Sequence, residues 1–483
     1  MDPITLVIFG ITSNLAQIKL IPALYDMEEN GNMPKDLVII GNSRKPMTKE
    51  EIDAYVSKVL NSDNKHHKHA IDPETVNKLL SRIHHFAGNL DDTEFYSKLD
   101  QEIKAKTHEE SKGNRIYYLA TYPDLYAHVF EGLKRENMNT EHNGFVRLMI
   151  EKPIGNDLES AKKLNQLLAD YFDESQIYRL DHYLGKETLQ NILSFRFANG
   201  VFEPMINRDH IDHIQITASE EFGIGKRGGY YDTVGALRDV GQNHQLQMIA
   251  FATMSAPADM SNEAITKERL DILKSLIPQP ENVVFGQYEG YLSEENVAEN
   301  SKTDTFYAFK TSIDNPRFKD VPIYVRAGKM LSETVTEISI VFKEPNNKLL
   351  PEMDQGNQPN VLIYRIQPNE GIVLRIYTKK PGNTLEIEPE YMQFCYRVDP
   401  KGHYLPDPYE KLISDAISGN QTFFNHAEEV EAQWAFTDPL FAKASGGKPI
   451  IYKVGSWGPK ESDELIEKDG REWLEPSPEF CRI

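Results

Sequence analysis

The chain has 483 residues, 40% of them hydrophobic and 26% charged, which is enough material for two or three domains with sizeable cores. Its 53 basic residues face 74 acidic ones, and the net charge of −21 repels a nucleic-acid backbone, so no nucleic-acid partner is expected and any anionic ligand must be met by a local cluster of cations. Two cysteines, Cys395 and Cys481, exclude a disulfide scaffold and suit a reducing compartment. No run approaches the ~18 apolar residues of a membrane helix, so no membrane partner is expected. The apolar start Ile4 to Phe9 is too short, and lacks the basic flank, for a secretory leader.

That start, Ile4-Thr5-Leu6-Val7-Ile8-Phe9, is rich in β-branched residues and predicts a buried parallel strand. Gly10 follows, then Asn14 as a candidate helix cap, then a helical pattern through Leu20, Leu24 and Tyr25. Leu37 to Gly41, Arg115 to Ala120 and Phe145 to Ile150 are further strands, separated by helical segments. Strand alternating with helix predicts a doubly wound parallel sheet. Such sheets bind dinucleotides at the first strand-to-helix turn. The usual three-glycine fingerprint is absent here, and only Gly10 of it remains.

Arg44 and Lys45 come just after the second strand. In this fold an acid there favours a ribose 2′-hydroxyl and an arginine favours a 2′-phosphate. Lys152 precedes Pro153 at another strand end, the edge where ligands bind. Pro153 fixes the turn and pushes Lys152 towards extended backbone.

Arg179-Leu180-Asp181-His182-Tyr183-Leu184-Gly185-Lys186-Glu187 concentrates proton-transfer and anion-holding side chains. The helix predicted after it carries Leu189, Ile192, Leu193 and Phe197 on its apolar face. Backbone N–H groups at a helix start favour anions. Chemistry alone leaves two readings open, an anion site and a polar loop capped onto a core helix.

Beyond this stretch the pattern changes. Ile211 to Ala218, Phe306 to Ile313, Pro322 to Arg326, Glu337 to Phe342, Val361 to Ile366 and Gly371 to Tyr377 predict strands without long helical crossovers. Asn315-Pro316, Asn346-Asn347 and Pro368-Asn369 punctuate them. A large, mainly antiparallel sheet is expected. His244 shares a helical face with Leu237, Val240 and Met248, a pattern that by itself suits a core histidine.

The nine residues from Arg179 resemble the signature of glucose-6-phosphate dehydrogenases, with Leu180 in place of Ile. Glu151-Lys152-Pro153-Ile154-Gly155, Arg227 to Asp232, Arg238-Asp239-Val240, Gln242-Asn243-His244, Arg326 to Lys329 and Gly455 to Pro459 resemble further blocks of that family, in order along the chain. The resemblance implies an α/β Rossmann-like N-terminal domain, 1–178, that binds the dinucleotide. It implies an α+β C-terminal domain, 179–483, with a large mainly antiparallel sheet, for substrate binding and dimerisation.

The family's roles carry over residue by residue. His244 matches its general base and Asp181 the carboxylate that orients the imidazole. Lys152, His182, Tyr183, Lys186, Glu220, Asp239 and Lys329 match the sugar and phosphate contacts. Gly10, Thr12, Ser13, Asn14, Leu15, Arg44, Asp91, Tyr118 and Lys152 match the cofactor side. Besides Leu180, and Tyr122 in place of a Pro, the chain departs from the pattern at three points. Ser13 adds a Cβ where backbone approaches the pyrophosphate, Asn14 stands for Asp, and Thr334 replaces a second basic residue after Lys329.

By resemblance the activity is oxidation of glucose 6-phosphate by NADP, with NAD use left open, as the first oxidative step of the pentose phosphate pathway. A cytoplasmic homodimer or homotetramer without a metal is expected. The alternatives are an oxidoreductase for another sugar and a non-catalytic nucleotide-binding relative. Intact Asp181, Lys186 and His244 argue against the second of these.

Overall fold

The computed structural model describes residues 3–62, 71–107, 113–344, 359–384, 386–396, 404–444, 447–476 and 480–481. The chain divides into two compact units. The first takes Met1–Gly155, Glu159–Gly185 and Pro406–Ala427, and the second takes Asn156–Leu158, Lys186–Leu405 and Glu428–Ile483. The division thus falls at 185 where the sequence suggested 178, and residues 406–427 return to the first unit.

The first unit is a six-stranded parallel sheet. Its strands are β1 (Ile4–Phe9), β2 (Leu37–Ser43), β3 (Ile83–Ala87), β4 (Asn114–Leu119), β5 (Val146–Ile150) and β6 (Ile177–Arg179). They lie in the order β3-β2-β1-β4-β5-β6. Helices α1 (Ile21–Glu29), α2 (Lys49–Leu60), α3 (Pro73–Arg82), α4 (Thr93–Thr107), α5 (Tyr126–Arg135) and α6 (Leu158–Ala169) fall between or beside these strands in sequence. Every residue of β1 is buried, as a strand covered on both faces must be. Local signals set the helix starts. Thr48 and Glu51 form a reciprocal capping box before α2, and Asp72 with Pro73 opens α3.

A helix at Pro408–Ser418 completes this unit. Asp407 caps it by accepting the Tyr409 N–H at 2.9 Å. Leu412, Ile413 and Ala416 join the core formed by β1, α1 and α2. Arg147 on β5 donates to the last carbonyls of this helix, Ala416 and Ile417, at 2.6 and 2.7 Å.

The second unit is built on a nine-stranded sheet. Its strands are β7 (Ile211–Ser219), β8 (Val283–Tyr288), β9 (Phe306–Thr311), β10 (Ile323–Gly328), β11 (Val335–Phe342), β12 (Val361–Gln367), β13 (Gly371–Lys379), β14 (Ile387–Cys395) and β15 (Ile450–Tyr452). The order is β14-β13-β12-β11-β7-β10-β9-β8-β15. Only β7–β10 and β8–β15 pair in parallel, so the expected mainly antiparallel sheet is present. Asn346 and Asn347 lie outside the described residues.

The two cysteines are joined. Cys395 closes β14 and meets Cys481 with their Cα atoms 5.3 Å apart. Phe480 packs beside the bridge on Val341, Val361, Ile363 and Val373. A single bridge among the described residues is no disulfide scaffold. Two cysteines allow one pairing, but with 86 residues between them no local pattern shows that they meet. Reduction should lower unfolding stability by at most ~4–5 kcal/mol, the chain-entropy value for a loop of this size. Denaturant titration with and without dithiothreitol reads the change, and coincident curves would show that the bridge carries no stability.

Candidate functional site

In the first unit the site begins at the end of β1. Gly10 sits at φ 97°, and a Cβ there would lie 2.5 Å from the Ala120 carbonyl oxygen. Only glycine fits both constraints. The Gly10 and Ile11 N–H groups donate to Asn42 O at 3.1 and 2.9 Å, which fixes the turn against the end of β2. The Ser13 hydroxyl then accepts the Ala16 N–H at 3.1 Å. Ser13 therefore caps the following helix, while Asn14, the expected cap, is exposed. Thr12 and Leu15 are half-buried on either side, and the Thr12 carbonyl accepts from Gln17 at 3.1 Å.

This turn lies where the strand order reverses, between β1 and β4, with a bare glycine backbone and a capped helix start beyond it. That is the cradle a dinucleotide pyrophosphate requires. Arg44 is exposed just past β2, and Asp91 is exposed beyond β3. Tyr118 is fully buried on β4, and its hydroxyl donates to Glu151 Oε1 at 2.5 Å. Its ring belongs to the same buried cluster as Ile8 and Ile11.

The end of β5 carries Glu151 and Lys152, followed by a cis peptide to Pro153. The Glu151 carboxyl is pushed up to about 7, chiefly by burial, with Asp181 adding to the rise and Lys152, Tyr118 and Tyr409 opposing it. β6 runs into Asp181, His182 and Tyr183. Asp181 is buried, and its Oδ1 accepts the Tyr183 N–H at 2.9 Å, a turn that fixes the backbone here. His182 stacks on Tyr409 at 6.3 Å between ring centroids, and the Lys19 ammonium lies 5.8 Å from the same ring. A Cβ on Gly185 would meet Pro408 O at 2.6 Å, so the signature glycine lets the 408–418 helix pack closely. Tyr409 was missed in the sequence. The Asp407-Pro408 pair, a cap followed by a first-turn proline, was the signal that could have found it.

The second unit holds the remaining candidates. Lys186 precedes α7 (Glu187–Phe197), whose Leu189, Ile192 and Leu193 are buried as the spacing predicted. Glu220 follows β7 and pairs with the buried Lys329, which follows β10 and lies 5.3 Å from the Tyr231 ring centroid. Thr334 exchanges two hydrogen bonds with Glu221, at 3.0 and 3.3 Å, and ties the start of β11 to the end of β7. The hydroxyl that replaces a basic residue is thus a structural link.

Asp239 and His244 lie on a wide helical segment, Leu237–Gln245, between α8 (Gly228–Ala236) and α9 (Leu246–Thr253). Its wide turns differ from the ideal helix assumed for the sequence, and Val240 is only half-buried although His244 is fully buried. Asp304 anchors the start of the segment by accepting the Leu237 N–H at 2.8 Å. Gly235, at φ 77°, leaves room for that carboxyl. The other sequence blocks are structural. Asp232 accepts from Tyr291 at 2.8 Å and the Ala298 N–H at 3.1 Å. Arg326 lies between Trp457 and Trp473, 4.7 and 4.4 Å from their rings.

Sheet order and glycine turn define a dinucleotide-binding fold. Comparison with known proteins narrows the class. Residues 7–191 match the family model for the NAD binding domain of glucose-6-phosphate dehydrogenase, and residues 193–474 match its C-terminal domain. Glucose-6-phosphate 1-dehydrogenases of Chlamydia muridarum and Treponema pallidum are 38% and 39% identical, each over 98% of this chain and 96% of theirs. A solved glucose-6-phosphate dehydrogenase in complex with its substrate glucose 6-phosphate is 34% identical, with a TM-score of 0.91 over 98% of this chain and 99% of the other. The chain belongs to the glucose-6-phosphate dehydrogenase family.

Asp304 gives the second unit a pH dependence. Burial raises its carboxyl from 3.8 to about 6. The folded chain therefore holds this proton more tightly than the unfolded chain, and stability falls as pH rises through that window. Between about pH 5 and 7.5 the loss should be roughly 1–2 kcal/mol. Asp304→Asn keeps an acceptor for Leu237 and should remove that part of the slope. Denaturant titration of both proteins at the two pH values checks it, and equal slopes would refute it.

Proposed function

We propose that the protein oxidises D-glucose 6-phosphate to 6-phospho-D-glucono-1,5-lactone with NADP. One observation carries this reading. Asp181, Lys186 and His244 are all present in a chain 34% identical, over 98% of its length, to an enzyme solved with glucose 6-phosphate. The Gly10 turn and the sheet order suit a dinucleotide, and its nicotinamide would accept a hydride from the sugar C1.

His244 takes the proton of the anomeric hydroxyl, a task matched by an imidazole's ordinary range near neutral pH. Asp181 orients the ring and balances the imidazolium. His182, Tyr183 and Lys186 hold the phosphate, and Lys152, Glu220, Asp239 and Lys329 hold the sugar hydroxyls. Lys152 also touches the cofactor. Gly10, Thr12, Ser13, Asn14 and Leu15 cradle its pyrophosphate, Asp91 lies towards the adenine, and Tyr118 supports the nicotinamide side from below. Arg44 reads the 2′-phosphate and gives NADP its advantage over NAD. Residues 1–178 and 179–483 approximate the cofactor and substrate portions of the chain.

Assembly as a homodimer or homotetramer through the second sheet is supported by its exposed edge strand, where Tyr391, Met392 and Phe394 lie 44 to 61% open. No helix among the described residues is long and apolar enough to cross a membrane. We place the enzyme in the cytoplasm, as the name of a 37% identical relative, the cytoplasmic glucose-6-phosphate 1-dehydrogenase 6 of Arabidopsis thaliana, says of that protein.

His244→Asn should bind substrate within a few-fold of wild type and lower kcat by roughly 10²–10⁴. Formation of reduced nicotinamide measures this, and near-normal turnover would refute the base. Arg44→Ala should raise KM for NADP by roughly ten-fold or more and leave KM for NAD nearly alone. A parallel loss for both cofactors would show that Arg44 does not read the 2′-phosphate.

A further inference from the structure

Glu151 is the carboxyl that the proposed mechanism leaves idle. It follows β5 beside Lys152, and three phenols meet it. Tyr118 on β4 and Tyr409 from the 408–418 helix both direct hydroxyls at its carboxyl. The Tyr126 hydroxyl on α5 meets the Glu151 backbone. All three phenols are buried, and burial raises each of them above the usual phenol value, so they remain donors throughout the neutral range. The charged groups nearby are Lys152, which favours the ionised carboxyl, and Asp181 beyond β6, which disfavours it. Across the Tyr409 ring lie His182 and Lys19.

Two fixed donors and one ammonium thus favour the anion, while burial and a second carboxylate favour the acid. The opposition places the carboxyl near neutrality, at about 7. A group so poised changes protonation when charge nearby changes. Both proposed ligands are anions, and both are expected to draw on Lys152.

We propose that Glu151 is a positioning residue that exchanges its charge for that of the ligand. Without ligand it is the anionic partner of Lys152. When a ligand phosphate draws Lys152 away, Glu151 takes a proton from solvent and its hydrogen bonds to Tyr118 and Tyr409 persist. Lys152 then serves the ligand without leaving a half-buried carboxylate unpaired beside Asp181. The inference rests on the functional reading above, because it needs Lys152 to meet the ligands.

Titration calorimetry of the full chain with glucose 6-phosphate and with NADP, in two buffers of different ionisation enthalpy near pH 7.5, counts the protons taken up. Wild type should take up about half a proton more per site than Glu151→Gln, the change expected when added negative charge raises such a group by about one unit. Protons contributed by the ligand are common to both proteins and cancel. The variant should bind within a few-fold of wild type. Binding with equal proton counts would overturn the inference and leave the functional reading standing. Absence of binding by wild type would remove both. If Glu151→Gln does not fold, the protonated-carboxyl infrared band of wild type decides. Its growth on ligand addition supports the exchange, and an unchanged band overturns it.

Discussion

Parallel pairing is the constraint on which the rest depends. Six strands can run the same way only if every connection crosses back, so all six carboxyl ends fall on one edge of the first sheet. Gly10, Arg44, Ala120, Glu151–Lys152 and Leu180–Asp181 follow β1, β2, β4, β5 and β6 directly. Residues scattered over 170 positions of sequence become neighbours along a rim without any special device. The hydrogen bonds of Gly10 and Ile11 to Asn42 then lock the first turn to the second strand. A side chain at Gly10 would strike Ala120 and pry β1 from β4 at the point where the cofactor is expected.

The rim is polar but its support is not. Tyr118, Tyr126 and Tyr409 are buried around Glu151, each phenol uses its hydroxyl on the Glu151 carboxyl or backbone, and the Tyr409 ring also stacks on His182. Side chains held this way lose little freedom on ligand binding, which is what pre-organisation requires. The second unit follows the same rule by other means. Asp304 fixes the start of the segment that carries Asp239 and His244, and Lys329 is held by Glu220 and two aromatic faces.

Much of this was legible in the chain. β1, β2, β4 and β5 announce themselves because strands covered on both faces carry near-continuous apolar runs. The family blocks located the rim and the histidine. Other features were hidden for physical reasons. β3 carries two histidines and is only half-buried, and β6 is three residues long, too short for any periodicity. The helix 408–418 returns to the first sheet after more than 200 residues in the second unit, a contact that no local pattern encodes. The segment 237–245 follows wide turns, so an ideal-helix projection places Val240 on the wrong face. Ser13 looked only like an intrusion in the turn, yet it is the cap.

The proposed function requires of this chain a preference for a phosphorylated sugar. The direct measurement is kcat/KM for glucose 6-phosphate against glucose, with NADP, in wild type and in Lys186→Ala. The account predicts strong preference for the phosphorylated sugar. In the variant that preference should shrink by roughly ten- to a hundred-fold, the scale of one charge-assisted hydrogen bond, with glucose turnover little changed. Equal turnover of both sugars by wild type, or an equal loss for both in the variant, would contradict it.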